Sequence, residues 1–285
     1  MQYTNKHHLP AHICQWLTTD EYDYLPGTIS ITTLIGPPRA WALKQRYHDA
    51  LCMDYSDLMA LRYGTALHDS LGSLAVVKPG DFRERRFTAT LGDWTITGKP
   101  DAVTDGVLRD FKSTSVWKYT HGSFHDYVLQ LSGYRWLLAK NQISVPDTGY
   151  IDFLFTDWKR SDARKGGSYP PCRYAELKLA LMSIEETEEW LLERLRRFAR
   201  ADETLPYCTD EELWKPPTTY AVYKTPDAKK AFRVCTTHEE AQMIVNAHGG
   251  IIRERIGKAR RCAYCVAAPF CVQCEEMIRK DLVDA

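Results

Sequence analysis

The sequence predicts a mixed α/β fold centred on an antiparallel β-meander, and three observations carry that reading. Two turn dipeptides, Gly92-Asp93 and Asp105-Gly106, separate stretches rich in β-branched and aromatic residues. Helical apolar periodicity stands on either side of them, over residues 57–74 and 124–140. A further apolar run at residues 150–155 (YIDFLF) follows the second helix as a fourth strand. The resulting order is αβββαβ around a mixed sheet.

The first helix, 57–74, leads into strands at 82–90, 94–104 and 107–113. Asp-Gly is the strongest short hairpin signal, because a type I′ turn needs φ > 0 at both central residues. With Asp105-Gly106 as the loop, Asp101 faces Asp110 and Lys99 faces Lys112. With Gly92-Asp93 as the preceding loop, Glu84 faces Asp101, which gives a row of three carboxylates across three strands. Ser183, with Glu186 three residues on, forms a capping box that opens a helix running to residue 201. Pro206, Pro216 and Pro217 interrupt the chain after it. Two short strands follow at 220–223 and 231–234, then a helix capped by Thr237 and Glu240, then a run of cysteines. Residues 1–205 read as one domain with an N-terminal segment, and 206–285 as a C-terminal α/β extension, with its cysteine metal knuckle, packed on it.

Lys and Arg number 37 and Asp and Glu number 37, so no global field draws the chain to nucleic acid or membrane. Any nucleic-acid contact has to come from local basic runs such as residues 159–165 (KRSDARK) and 253–261 (RERIGKARR). The N-terminal residues hold no long apolar run, so neither a signal peptide nor a membrane span is expected, and a cytoplasmic location is. Four of the nine cysteines crowd between residues 262 and 274, a bunching that suggests a metal site more than a disulfide framework. Cys52, Cys172 and Cys235 stand at unrelated spacings and read as core residues.

Facing carboxylates lie about 4.5–5.5 Å apart at Cβ and repel. A bound cation offsets that repulsion, and Mg²⁺ suits one or two carboxylates plus water and phosphate oxygens. A surface ladder, with Lys99 and Lys112 paired diagonally to the two aspartates, accounts for the same residues without a cation. Pro100 suggests a strand edge or bulge at this place.

Gly64-x-x-x-His68, Gly98-x-x-Asp101, Asp110-x-Lys112 and Gln130-x-x-x-Tyr134 occur in that order over about 70 residues. Together they resemble the PD-(D/E)XK nuclease superfamily, with its restriction-endonuclease-like core, and most of all the RecB-like exonuclease branch. From about Ser30 to the terminal cysteines the chain is similar to the small RecB-like nucleases carried by phages and to the CRISPR-associated iron–sulfur exonucleases. The resemblance implies a Mg²⁺- or Mn²⁺-dependent deoxyribonuclease, an exonuclease acting in phage-type recombination or DNA end processing. DNA would be its partner, with a recombination protein as a second one. It implies that His68, Asp101 and Asp110 hold the metal, with the Phe111 carbonyl as a further ligand. Lys112 would orient the attacking water, Gln130 and Tyr134 would position metal-bound groups or substrate, and Glu84 would take part. Two other readings are a catalytically idle nucleic-acid-binding subunit and a metal-stabilised interaction protein.

The C-terminal Cys262-x2-Cys265-x5-Cys271 spacing is that of the related iron–sulfur nucleases, which implies a [4Fe–4S] cluster. Those proteins take a fourth cysteine from just before a Pro-Arg near the N-terminus, where this chain reads Gly36-Pro37-Pro38-Arg39. Cys208 is preferred as the fourth ligand, ahead of Cys274 and Cys14. With Cys274 the knuckle becomes C-x2-C-x5-C-x2-C, which could equally hold Zn²⁺. The basic run beside it, with Arg255, Lys258, Arg260 and Arg261, would touch DNA backbone.

Overall fold

Both turn dipeptides form hairpins in the computed structural model, which describes residues 1–19, 25–74 and 78–283. The chain begins with β1 (Gln2–Thr4), α1 (Ala11–Thr18), β2 (Thr28–Ser30), α2 (Ile31–Ile35) and α3 (Pro38–Arg46). Next come β3 (Cys52–Asp54), parallel to β1, and α4 (Met59–Gly72), the expected first helix. The meander follows as β4 (Phe82–Arg83), β5 (Phe87–Leu91), β6 (Trp94–Gly98), β7 (Ala102–Thr104) and β8 (Val107–Thr114). Then come α5 (Val116–His121), α6 (His125–Lys140), β9 (Thr148–Phe155), α7 (Arg160–Ala163), β10 (Tyr174–Ala180), α8 (Ile184–Ala199) and α9 (Ala201–Thr204). The remainder holds β11 (Thr219–Tyr223), β12 (Arg233–Cys235), α10 (His238–His248), β13 (Ile251–Arg255) and α11 (Val272–Arg279). Among the described residues, no helix is long and apolar enough to cross a membrane.

Asp105 and Gly106 have φ of 54° and 71°, as a type I′ turn requires, and Ala102 faces Arg109. Leu91 faces Trp94 and Phe87 faces Gly98, the register expected from Gly92-Asp93. The strands themselves are shorter than expected. The 82–90 strand breaks after Arg83 and the 94–104 strand breaks at Lys99-Pro100-Asp101. Pro100 has no N–H to give a ladder, and Glu84 takes a left-handed φ of 46°. The meander therefore bends out of one sheet into another. One sheet runs β2-β6-β5 and the other β10-β9-β8-β7-β4.

The register survives the bend. Arg83 faces Ala102, and the Glu84 N–H donates to the Asp101 carbonyl at 3.0 Å. The expected carboxylate row thus becomes a corner where the two sheets part. Lys99 leaves the ladder there, so it does not face Lys112.

β8 and β9 pair in parallel, which requires the crossover supplied by α5 and α6. Helix α6 is apolar on most of its circumference and buries Leu131, Trp136, Leu137 and Leu138. It packs against α2 and α8. The Arg194 Nε of α8 donates to the Leu34 carbonyl at 2.7 Å, near the end of α2. Ser183 and Glu186 form the expected capping box on α8. At α10 only half of the expected box is present. Thr237 accepts from the Glu240 N–H, but the Glu240 carboxylate reaches Thr236 N, one residue before the cap. Strand β10 was not expected; its sequence, Tyr-Ala-Glu-Leu-Lys-Leu-Ala, is rich in helix formers, and pairing with β9 overrides that preference.

The chain divides into two compact units, Met1–Gly36 with Cys52–Asp202, and Pro37–Leu51 with Glu203–Ala285. This departs from the expected 1–205 and 206–285 division, because α3 groups with the C-terminal residues. In that second unit Leu43 and Leu51 are buried with Ala267, and Tyr47 stacks on Phe270 at 4.5 Å. A sheet ordered β12-β11-β13 carries α10, whose Ala241 packs against Val222 and Cys235.

Gly98 lies where β6 meets α6. A Cβ there would come within 2.7 Å of Leu137 Cδ1 and 2.9 Å of Tyr134 Cε1. Gly98→Ala is expected to lower stability by about 1–3 kcal/mol through overpacking, read as a lower urea midpoint with an unchanged slope.

Candidate metal centre

Asp110 and Lys112 are two apart on β8 and so share a face of the central sheet. The Asp110 side chain is fully buried, and the Lys112 ammonium stands 2.6 Å from its Oδ2. Helix α6 lays the Gln130 amide across this pair. Gln130 Nε2 donates to Asp110 Oδ1 at 2.9 Å, and its Oε1 accepts from Lys112 Nζ at 3.1 Å. The Tyr134 hydroxyl, one turn on, lies 3.2 Å from Gln130 Nε2.

The corner of the meander brings the rest. Asp101 Oδ2 accepts from the Phe111 N–H at 2.6 Å, which ties the bend to β8. His68 arrives from α4, its Nδ1 3.3 Å from Asp101 Oδ2 and 3.9 Å from Glu84 Oε1. The other Glu84 oxygen pairs with Lys99 Nζ at 2.8 Å. One ligand atom from each of His68, Glu84 and Asp101 lies within 4.8 Å of the others. They line a cleft whose other walls include Ser30, Thr65 and Tyr134.

The titration behaviour follows from this crowding. Burial pushes the Asp110 carboxyl up, against the pull of the Lys112 charge. Burial alone would lower Lys112, but the Asp110 charge and contact raise it. Burial likewise raises Glu84, with Lys99 opposing. At His68 burial acts downward, and the bond to and charge of Asp101 outweigh it, so the imidazole is held above its ordinary value.

Among the described residues of this cluster, Glu84 Oε1 is buried without a hydrogen-bond donor. Asp110 Oδ2 is met by the Lys112 ammonium. A buried acceptor without a donor carries a desolvation penalty that a cation would relieve. Three carboxylates stand against two lysines, and a protonated His68 makes up the balance. Once His68 gives up that proton, one net negative charge remains beside a nitrogen and several hard oxygens. That donor set fits a Mg²⁺- or Mn²⁺-type ion.

One neighbour was not singled out from sequence. Tyr127 shares the α6 face of Gln130 and Tyr134, and its ring centre lies 5.5 Å from Lys112 Nζ. The three- and seven-residue spacing of 127, 130 and 134 was the available signal.

The C-terminal unit holds a second candidate site. Cys208, Cys262, Cys265, Cys271 and Cys274 all line one apolar pocket with Arg39. Arg39 is buried and donates from Nε to Cys271 Sγ at 3.1 Å, so the residue after Pro37-Pro38 meets a thiol instead of supplying one. Gln273 Oε1 accepts from the Cys208 N–H at 2.8 Å and its Nε2 donates to the Cys208 carbonyl at 2.9 Å. Burial pushes the Cys208 thiol up to about 12, with Glu212 adding to it. Burial and the neighbouring Cys274 push Cys262 up to about 12. Among the described residues the 4.8 Å grouping seen at His68 is not matched by any three of these thiols.

The remaining cysteines correct one expectation. Cys235 is buried as expected, but Cys52 and Cys172 are exposed. Cys14 donates to the Leu9 carbonyl and does not line the thiol pocket. The basic residues of the C-terminal run are engaged locally. Arg255 donates to the Tyr223 hydroxyl at 2.6 Å, Lys258 pairs with Asp281 at 2.8 Å, and Arg261 lies 4.2 Å over the Trp214 ring. Arg260 is exposed.

No family model and no curated protein matches the chain. It is similar to the crystal structure of SSO0001 over 65% of this chain and 83% of that one, at 18% identity and a TM-score of 0.44. A likeness of that size carries no argument about fold or chemistry, and the fold stands as mixed α/β on the strand pairing above.

Asp101→Ala removes the acceptor of the buried Phe111 N–H and is expected to cost about 1–3 kcal/mol. Asp101→Asn keeps an oxygen there and should cost less; urea denaturation compares the two. In the folded protein at pH 8, iodoacetamide is expected to label the exposed Cys52 and Cys172 first and Cys208 and Cys262, whose thiols burial pushes up, much later, because the thiolate is the reacting form. Mass spectrometry of timed digests checks that order.

Proposed function

We propose that this chain is a Mg²⁺- or Mn²⁺-dependent deoxyribonuclease of the PD-(D/E)XK superfamily, RecB-like branch, built on a restriction-endonuclease-like core. The observation that carries the reading is the convergence of His68, Glu84 and Asp101 beside the buried Asp110–Lys112 pair. It joins four sequence motifs at one corner of the fold. Exonucleolytic action in phage-type recombination or end processing is the biological role proposed.

His68, Glu84, Asp101 and Asp110 would hold the cation, which when bound polarises a phosphoryl oxygen and lowers the pKa of a bound water. Lys112, already within reach of Asp110 and Gln130, holds the attacking water by donating to it and offsets charge gathering on the phosphate. Gln130 keeps the Lys112 ammonium and the Asp110 carboxylate in a fixed relation, so neither has to reorganise as charge develops. Tyr134 anchors the Gln130 amide from the following turn.

In the C-terminal unit Cys262, Cys265, Cys271 and Cys208 would hold a [4Fe–4S] cluster that stabilises the fold of that unit. Support comes from the C-x2-C-x5-C spacing and from the gathering of these thiols in one apolar pocket. Arg39 fits this role by directing a donor at a ligand sulfur.

End-labelled linear DNA incubated with and without Mg²⁺ or Mn²⁺ tests the activity and reports its polarity. Asp110→Asn and Lys112→Ala are expected to cut the rate at least about a hundredfold. Asp110→Asn is the cleaner variant, because Asp110→Ala would leave a largely buried ammonium without its counter-charge. Near-wild-type cleavage by either variant sinks the assignment. Metal binding to the thiols is coupled to folding, so Cys262→Ser and Cys208→Ser are expected to lose iron and sulfide and to become protease-sensitive, and Cys274→Ser to retain both. Elemental analysis and the visible spectrum of anaerobically purified protein read the result. Zinc without colour would replace the cluster by a zinc site.

A further inference from the structure

Helix α5 is only six residues long, yet it is held firmly. Ser115 caps it by accepting from the Lys118 N–H at 3.2 Å. Asp157 Oδ1 accepts from the Val116 N–H at 2.8 Å. On its inner side Val116 is buried and the Tyr119 ring packs edge-on against Phe153 and Phe155, at 5.3 and 5.4 Å. Its outer side carries Trp117, 58% exposed, stacked nearly flat on His121 at 5.6 Å and 14°. A large flat ring pair is thus displayed to solvent on a rigid mount.

The position of that pair matters. Lys118, next to Trp117, has its Nζ 5.5 Å from the Tyr127 ring centre, and Lys112 Nζ lies at the same distance from the same ring. One aromatic ring therefore separates α5 from the lysine of the candidate centre. On the other flank, Asp157, bonded to the start of α5, is followed within three residues by the exposed cations Lys159 and Arg160. Three residues of chain span at most about 10 Å. Rings next to cations are the recognition chemistry of single-stranded nucleic acid, in which unpaired bases stack on aromatic faces and cations track the phosphates. A blunt duplex has stacked, paired bases and only its terminal pair to offer such a surface.

We propose that Trp117 and His121, flanked by Lys159 and Arg160, form a stacking site for unpaired bases that leads a single DNA strand to the carboxylate corner. This rests on the nuclease reading and gives it a substrate class, single-stranded DNA or a single-stranded end. Trp117 and His121 are binding residues and take no part in the chemistry.

The test is fluorescence anisotropy of wild-type protein and variants with labelled oligo(dT) and with a blunt duplex, in EDTA so that nothing is cleaved. Wild type is expected to prefer oligo(dT). Trp117→Ala should weaken oligo(dT) binding about tenfold, Trp117→Phe should recover most of that, and duplex binding should change little. The double variant of Lys159→Ala and Arg160→Ala should flatten the salt dependence of oligo(dT) binding by about 0.7 for each phosphate it no longer neutralises. His121→Ala gives a second reading on the stack should Trp117→Ala fail to fold. Unchanged oligo(dT) affinity in Trp117→Ala or His121→Ala overturns the stacking site while leaving the nuclease reading intact, provided that wild type still cleaves with Mg²⁺ or Mn²⁺. A wild type that neither binds nor cleaves DNA overturns both.

Discussion

The carboxylate of Asp110 has no exposure to solvent, and much of the surrounding structure follows from compensating it. A buried, ionised carboxylate is strongly unfavourable unless it is paired and hydrogen-bonded. Lys112 supplies the charge from the same strand face and Gln130 supplies a hydrogen bond from the crossover helix. That helix has to lie close to the sheet for the amide to reach, which is why Gly98 stands beneath Tyr134 and Leu137. The Asp101 carboxylate then fixes the bend of the meander by accepting from Phe111, the residue between Asp110 and Lys112. Packing of the helix, the path of the meander and the geometry of the carboxylates are therefore one arrangement.

Local signals in the sequence were enough to give the register of both hairpins, because Asp105-Gly106 and Gly92 impose turn geometry irrespective of what surrounds them. The cap of α8 and the limits of α6 were legible for the same reason. The splitting of the meander was not. Pro100 announced an irregularity, but whether a strand with a proline bulges, ends or changes sheet is decided by which strand lies alongside, and here that strand is β2, some seventy residues earlier. The same limit applied to β10, whose composition favours a helix and whose conformation is set by β9. At the candidate centre, the motif residues were legible one by one and their convergence at a corner was not, since a flat ladder satisfied the same register. Tyr127 was missed because one aromatic residue in an apolar helix carries no mark of what lies opposite.

The cysteines show the reverse relation. Cys262, Cys265 and Cys271 could be grouped by spacing alone, but Cys208 is more than fifty residues from them and is held in the pocket by two backbone bonds to Gln273 and by packing against Leu213, Ala259 and Met277. Arg39 reaches the same pocket from still further away in sequence. The charge of its guanidinium acts against the burial that raises the Cys208 thiol.

The grouping of α3 with the C-terminal residues has a consequence for how the chain is made. Residues 37–51 leave the ribosome more than 200 residues ahead of Ala267, against which they pack. At roughly 5–20 residues per second that is a wait of about ten to forty seconds. During it Leu43 and Leu51, which end fully covered, have no Ala267 to cover them. The second unit can close only after the last cysteines have emerged, so its assembly, with any metal it takes, follows synthesis of the whole of the first unit.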